Sequence, residues 1–314
     1  MVYTLTLNPA LDRTIYVETL KPFDANRIKR EERYAGGKGI DVSRALKELE
    51  TESVALGFIG GFAGREMEGR LLNEGIATDF TSINNETRVN VIIHDQTKNL
   101  ETSLLAQGPE VQPFEIVRLV EKIENLANSE FLVVSGSLPP GVNPEIYRKI
   151  LETARQKGVQ TVLDTDGDAL KAGLKAKPNL IKPNLFELSR YAGETIETPA
   201  QIIKWGNVLL AGGVRIVLVS MGAQGIIMIT DGLKLHAQPP AVEVVSTIGA
   251  GDSAVAGFVY GLCAKMDLVD CLRWSVAAGT AATMCVGSGV CRLNDTRSLV
   301  DRVEVKKLTM SAES

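Results

Sequence analysis

The chain has 314 residues, enough for one large α/β domain or for a domain with a small appendage, and 45% of them are hydrophobic. With 34 basic against 38 acidic residues the net charge is −4, which excludes a global electrostatic footprint for nucleic acid or an anionic membrane. A small phosphorylated ligand stays open, because a few local cations and backbone amides suffice to hold one.

The chain opens on Met1-Val2-Tyr3-Thr4-Leu5-Thr6-Leu7, which lacks a basic stretch followed by an apolar run and reads as a first strand rather than a signal peptide. No apolar stretch approaches the ~20 residues that span a bilayer, so a cytoplasmic protein is expected. In chain order the pattern predicts strands at 3–7, 54–59, 131–135, 161–164, 180–182 and 216–220. Between and after them it predicts helices at 38–49, 65–73, 113–126, 144–156, 201–210, 252–263 and 268–284. Short apolar strands alternating with helices predict a mainly parallel sheet with crossover helices. The helix from Asp252 is small and apolar nearly all round and is expected to be buried.

Two stretches break this rhythm. Residues 12–33 carry a strand-like piece, Thr14-Ile15-Tyr16-Val17, where a crossover helix is due. Residues 88–105 alternate like a hairpin around a polar turn at 95–99. Together they are expected to form a small β-sheet lid on a single domain spanning 1–314. Cys263, Cys271, Cys285 and Cys291 form no C-x-x-C pair and read as reduced thiols. Only His94 and His236 are present, which argues against a histidine-built metal site.

Four motifs carry candidate chemistry. Thr247-Ile248-Gly249-Ala250-Gly251-Asp252 leads into the apolar helix. Glycines let the turn present its amides to an anion, the helix N-terminus adds unpaired donors, and an acid at the mouth can accept a proton from a hydroxyl. An Asp that merely caps a helix after a glycine turn is the competing reading. Lys182-Pro183-Asn184-Leu185-Phe186-Glu187 places an amide and a carboxylate three apart, which suits Mg²⁺ and its waters; a simple capping box explains it equally. Gly36-Gly37-Lys38-Gly39 opens a helix as an anion seat or as a flexible turn, and lacks the Walker A spacing. Ser135-Gly136-Ser137-Leu138-Pro139-Pro140-Gly141 follows a strand, where open α/β sheets bind ligands. Gly57 to Gly64 does not fit the dinucleotide fingerprint and reads as a tightly packed strand-to-helix turn.

Taken in this order, the four motifs resemble those of the ribokinase-like (PfkB) carbohydrate kinases over essentially the whole chain. The opening Leu5-Thr6-Leu7-Asn8-Pro9-Ala10-Leu11-Asp12 and Thr87-Arg88-Val89-Asn90-Val91 are similar to the phosphofructokinase branch. That branch acts on phosphorylated ketohexoses: 1-phosphofructokinase, tagatose-6-phosphate kinase and the minor 6-phosphofructokinase. Gly-Gly-Lys-Gly and Val245 to Asp252 look most like 1-phosphofructokinase. Gln107-Gly108-Pro109-Glu110-Val111 is similar to tagatose-6-phosphate kinases, and Val276 to Thr283 to the minor 6-phosphofructokinases.

The resemblance implies a three-layer α/β/α ribokinase-like fold, with ATP and Mg²⁺ as cofactors and a homodimer formed through the lid. It implies that Asp12, Gly36, Gly37 and Ser137 line the sugar and that Lys38 and Arg88 contact its phosphate, with Asp41 beside them. It implies Asp252 as base, Gly249, Ala250 and Gly251 as anion-hole amides, Asn184 and Glu187 as organisers of Mg²⁺, and Lys182, Ser220 and Gly222 along ATP. The activity implied is phosphorylation of fructose 1-phosphate, with fructose 6-phosphate or tagatose 6-phosphate as alternatives. A kinase of an unphosphorylated sugar is disfavoured by the paired cations Lys38 and Arg88. A silent sugar-phosphate-binding protein is disfavoured by Asp252, since a sensor needs no proton acceptor. Two departures stand out: Asp41 where the branch usually has Asn, and Asp166-Gly167-Asp168 where it usually has Ser-Gly-Glu.

Overall fold

Phe131-Leu132-Val133-Val134-Ser135 forms a strand buried at every residue, the mark of a central strand covered on both faces. The computed structural model describes residues 1–126, 129–285, 287 and 289–308. In chain order the elements begin β1 (Val2–Thr6), β2 (Ala10–Val17), β3 (Arg30–Gly36), α1 (Lys38–Glu48), β4 (Ser53–Ile59), α2 (Gly61–Asn73), β5 (Ala77–Thr78), β6 (Thr81–Ser82), β7 (Arg88–Asp95) and β8 (Leu100–Leu104). They continue with α3 (Pro113–Glu124), β9 (Phe131–Ser135), α4 (Glu145–Gln156), β10 (Gln160–Asp164), α5 (Gly167–Leu174), β11 (Leu180–Ile181), α6 (Leu185–Ala192), α7 (Pro199–Ala211) and β12 (Ile216–Ser220). The last are β13 (Ile226–Ile229), β14 (Lys234–Gln238), α8 (Ala250–Cys263), α9 (Leu268–Thr283), α10 (Leu293–Val300) and β15 (Glu304–Lys307).

The main sheet runs β15-β14-β13-β12-β11-β10-β9-β1-β4-β5, with β6 paired to β4. Its strands from β12 to β5 are parallel, and helices cover both faces to give three layers. Alternate residues of β9 divide between two cores: Leu132 and Val134 join the side of α3, α4, α5 and α7, while Phe131 and Val133 join that of α1, α8 and α9. The parallel pairing sends Ser135, Asp164, Ile181 and Ser220 to one edge, where the loops of an α/β sheet gather ligands.

Beyond β12 the sheet continues through three antiparallel strands, β13, β14 and β15, which the sequence pattern did not single out. Helix α2 starts at Gly61, four residues before its predicted start. Its first turn is tied by Glu86, whose carboxylate accepts the Ala63 amide at 2.6 Å from a distant loop, a cap with no local signature. A second sheet, β3-β2-β7-β8, pairs β2 with β7 in parallel although they lie some 78 positions apart. Helix α8 is buried on nearly all sides; a Cβ on Gly257 would stand 2.4 Å from the Trp274 carbonyl of α9. The four cysteines are unpaired thiols, with Cys271 and Cys291 buried. No helix among the described residues is long and apolar enough to cross a membrane.

Candidate active site

The mouth of α8 is built by Gly249, which caps the helix with a left-handed backbone (φ 75°) and no side chain. Its carbonyl accepts the Ser253 amide at 2.9 Å, and the Ala250 amide reaches the Thr247 carbonyl at a long 3.4 Å. No carbonyl or side chain among the described residues takes the Gly251 and Asp252 amides, so the turn offers open donors where the helix dipole is positive. Asp252 stands in this first turn at 9% exposure. Burial pushes its carboxyl well above the usual range, the Asp41 and Asp164 carboxylates push it further, and Lys38 and Lys182 pull it back. A carboxyl so placed is poised to take a proton, and two ammonium groups stand close enough to act on it.

Asp164 ends β10 almost wholly buried, and two lysines converge on it. Lys38 Nζ lies 3.2 Å from Asp164 Oδ1 and 3.4 Å from Glu187 Oε1, while Lys182 Nζ lies 3.6 Å from Asp164 Oδ2. Burial alone would raise the Asp164 carboxyl, but Lys182 and Lys38 outweigh it and hold it below the usual carboxylate range. Asp164 in turn, with Glu187 and Asp252, raises the Lys38 ammonium despite its burial, so Lys38 stays charged.

Asn184 and Glu187 complete a reciprocal capping box at the start of α6: Asn184 Oδ1 accepts the Glu187 amide and Glu187 Oε2 accepts the Asn184 amide, both at 2.8 Å. This commits one oxygen of each and leaves Glu187 Oε1 facing Lys38. Asp164 Oδ2 accepts no hydrogen bond, with Lys182 Nζ at 3.6 Å, and Glu187 Oε1 accepts from Lys38, so a hard cation at these two carboxylates would share them with the lysines. Among the described residues no group of three or more His, Cys, Asp or Glu gathers tightly enough to cage a metal. That donor set fits Mg²⁺, which keeps waters and binds through one or two carboxylates plus substrate phosphates. Ser220 bridges to Asn184 at the end of β12, and Gly222 opens the turn just beyond.

Across the site the second sheet supplies Asp12, whose Oδ1 accepts Asn90 Nδ2 at 2.7 Å. Its other oxygen lies over Gly36, where a Cβ would stand 2.1 Å away, so any larger residue there would push the Asp12 carboxylate aside. Burial raises the Asp12 carboxyl, and Asn90, Arg88 and Arg44 oppose that. Arg88 donates to three backbone carbonyls, Asn8 and Ala106 at 2.8 Å and Pro9 at 3.4 Å, and so ties two loops together beside Asp12.

Ser137 is exposed in the turn after β9. That turn is anchored at Gly136 (φ 100°), whose carbonyl accepts Tyr147 Oη at 3.1 Å and Thr165 Oγ1 at 2.7 Å. Asp12, Gly36, Asp41 and Arg88 thus form one group. Lys38, Lys182, Asn184, Glu187 and Asp252 form another, with Ser137, Ser220 and Gly222 around the rim. Lys38, expected on the substrate's phosphate, is engaged by Asp164 and Glu187. Asn90 was quoted only within the Thr87 to Val91 motif, and Asp164, Arg44 and Tyr147 were not singled out in the sequence. Of these only Asp164 carried a signal, an acid at the carboxyl end of a predicted parallel strand.

With this geometry in view, comparison with known proteins is decisive: the family model described as pfkB family carbohydrate kinase matches residues 5–295. The chain belongs to the pfkB family of carbohydrate kinases. It is 36% identical to the 1-phosphofructokinase of Borreliella burgdorferi, over 99% of this chain and all of that one. It is 34% identical to the D-tagatose-1-phosphate kinase of Bacillus licheniformis, over 96% of this chain and 98% of that one. Phosphofructokinase-2 from Escherichia coli, solved in complex with fructose-6-phosphate, superposes with a TM-score of 0.89 at 30% identity, covering 96% of this chain and 98% of that one. The same enzyme has also been solved as a tetrameric inhibited form.

As a pfkB member the chain keeps both of its departures folded into local structure. Asp166 caps α5 by accepting the Gly167 amide at 2.6 Å and pairs with Arg190 of α6, which stacks over Phe186 at 4.6 Å. Asp168 is exposed and meets Lys171 at 3.4 Å. Asp41 sits in the first turn of α1, with Arg44 Nη1 3.2 Å from its Oδ1. Burial and the neighbouring Asp12 push its carboxyl up to about 7, against Arg44 and the Gly37 amide.

Proposed function

We propose that the chain is an ATP-dependent sugar-phosphate kinase that transfers the γ-phosphoryl group to a hydroxyl of a phosphorylated ketohexose, with fructose 1-phosphate as acceptor. The observation that carries this reading is Asp252: a nearly buried carboxyl beside the open Gly251 and Asp252 amides and under the charge of Lys38 and Lys182. The acceptor oxygen attacks the γ-phosphorus as its proton passes to Asp252, and the bond from that phosphorus to ADP breaks with its electron pair on ADP. The open amides of Gly251 and Asp252, presented by the turn at Gly249 and Ala250, receive the charge spreading over the phosphoryl oxygens. Lys38 and Lys182 neutralise the phosphates on the nucleotide side, and Ser220 and Gly222 line it.

Glu187 and Asp164, with Asn184 behind them, would hold Mg²⁺, which would supply charge neutralisation for the phosphates. Asp12 orients the sugar hydroxyls and Arg88 serves the end that carries the phosphate. The second sheet acts as a lid that shuts water out. It also carries the dimer contact: β8 is exposed along its whole length, with Leu100 and Leu104 at 60% and 56% exposure. We place the enzyme in the cytoplasm, with its nucleotide.

Fructose 1-phosphate is favoured by the identity to 1-phosphofructokinase, and tagatose 1-phosphate is the second reading, supported by the similarity to D-tagatose-1-phosphate kinase. Steady-state ADP release with Mg²⁺-ATP decides among fructose 1-phosphate, tagatose 1-phosphate, fructose 6-phosphate and tagatose 6-phosphate. A kcat/KM for fructose 1-phosphate at least tenfold above the others is expected. Preference for a 6-phosphate refutes the acceptor assignment, and no turnover with any of them refutes the kinase reading.

A further inference from the structure

Lys38 sits on the oxygens that a metal ion would use. The capping box of α6 commits Glu187 Oε2 to the Asn184 amide and Asn184 Oδ1 to the Glu187 amide, both at 2.8 Å. Glu187 Oε1 is the carboxylate oxygen this pair leaves over, and Lys38 Nζ lies 3.4 Å from it. The same Nζ lies 3.2 Å from Asp164 Oδ1. One ammonium thus bridges two carboxylates from different elements, the end of β10 and the first turn of α6.

The two lysines at this corner differ in their freedom to move. The Lys182 side chain is walled in at 4% exposure, and its Nζ stands 3.6 Å from Asp164 Oδ2. The Lys38 side chain is 38% exposed. Its stem leaves the first residue of α1 and passes the turn after β9, where a Cβ on Gly136 would stand 3.8 Å from Lys38 Cβ. A flexible four-carbon stem on an open path can release its ammonium with the backbone unmoved. Lys38 is the cation here that can leave.

We propose that Lys38 holds the carboxylates of Asp164 and Glu187 as a movable cation, one that bare Mg²⁺ must displace and that turns to a phosphate when the metal arrives with one. This rests on the kinase reading given above. An ammonium and a divalent ion cannot both stand close to the same two carboxylate oxygens, because like charges a few ångströms apart repel. Metal alone must push Lys38 off two charge-assisted contacts and gives it no partner in return. Metal carried by a nucleotide brings phosphate oxygens, so Lys38 exchanges one set of acceptors for another. The corner therefore binds bare metal weakly and metal with phosphate well, a coupling between two ligands that runs through one side chain. A neutral residue at position 38 would leave the two carboxylates with Lys182 alone. Bare metal would then bind more tightly and the metal–nucleotide more weakly. Loss of packing would weaken both, so the opposite signs mark the role.

The test measures two affinities. Free Mn²⁺, which takes the same octahedral oxygen ligands as Mg²⁺, is titrated with no nucleotide present and followed by the spin resonance of the unbound ion. Mg²⁺-ADP is titrated by calorimetry. Both are run on the wild type, Lys38→Met and Lys38→Arg, with Lys38→Gln as a second neutral variant should the Met variant fail to fold. The neutral variants are expected to bind Mn²⁺ about tenfold more tightly than wild type and Mg²⁺-ADP about tenfold more weakly. Lys38→Arg keeps the charge and is expected to hold Mn²⁺ at the wild-type level. Mn²⁺ affinity that is unchanged within twofold or lowered in the neutral variants overturns the inference while leaving the kinase reading intact. So does Mg²⁺-ADP affinity that is unchanged or raised in them, or a gain in Mn²⁺ affinity that Lys38→Arg shares. Failure of the wild type to bind Mg²⁺-ADP overturns the kinase reading, and this inference with it.

Discussion

Two helices of this protein begin after glycines and carry an acid in the first turn, α1 with Gly37, Lys38 and Asp41 and α8 with Gly249, Ala250 and Asp252. They look alike as motifs and differ as sites. At α8 the amides of Gly251 and Asp252 are open. At α1 the corner is already filled: Asp12 lies on Gly36, Asp41 sits behind it, and the one lysine points elsewhere. A glycine-led helix start is an anion seat only where the surrounding side chains leave it one. What those side chains contribute is not visible in the motif.

The sharpest way to break this contrast is at Asp252. Replacement by Asn is expected to lower kcat by about 10²–10⁴ while the fold survives, since the buried site disfavours the charged form in any case. Retention of more than a tenth of wild-type ADP release would remove Asp252 from the role of base.

Next in size is the pair Gly36→Ala and Gly251→Ala. A Cβ on Gly36 collides with Asp12 Oδ2 at 2.1 Å, whereas one on Gly251 meets only Lys182 Nζ at 3.5 Å. Displacing Asp12 by about an ångström is expected to cost roughly 10²-fold in kcat/KM for the sugar. The Gly251 variant should melt within a degree or two of wild type, or higher, as alanine is the better helix former by about 1 kcal/mol. Equal melting temperatures and equal sugar kinetics in both variants would erase the distinction drawn between the two helix starts.

A smaller effect concerns pH. Asp41 has its carboxyl near 7 in the fold against 3.8 for the free group. Between those values the folded state binds the extra proton, so stability falls as pH rises from about 4 to about 7 and levels off above. Asp41→Asn lacks this loss. Its stability relative to wild type should therefore climb across that window by on the order of 1–3 kcal/mol, as read by urea denaturation at several pH values. A difference that is flat with pH would mean that Asp41 is ionised throughout.

The smallest change is expected for Tyr147→Phe, at about 0.5–1.5 kcal/mol by the same denaturation assay, because Thr165 still serves the Gly136 carbonyl. A larger loss would show that the turn before Ser137 depends on the phenol.

Much of the parallel framework was legible because its strands are short, apolar and β-branched. The residues 131–135 and 216–220 form strands with the predicted bounds. The strand β13, Ile226 to Ile229, is as short, apolar and β-branched as the strands that were read and was passed over, while β14 alternates Lys234, Leu235, His236 and Ala237 with a weaker apolar signal. The motifs at Asp252 and Asn184 were legible for local reasons, and the capping box weighed against Mg²⁺ at Asn184 is physically formed. Contacts that depend on distant chain were not legible. Glu86 at the start of α2, Asn90 on Asp12 and Arg44 on Glu74 join residues far apart in sequence, and no local period announces them.

Among the described residues the small sheet is made of β2, β3, β7 and β8, all within the first 104 residues. Asp12, Gly36, Asp41 and Arg88 therefore leave the ribosome long before Asp252. At about 5–20 residues per second, synthesis of the intervening chain takes some seconds or more. A chain that ends before α8 therefore holds every strand of that sheet and lacks the carboxyl proposed above as the base.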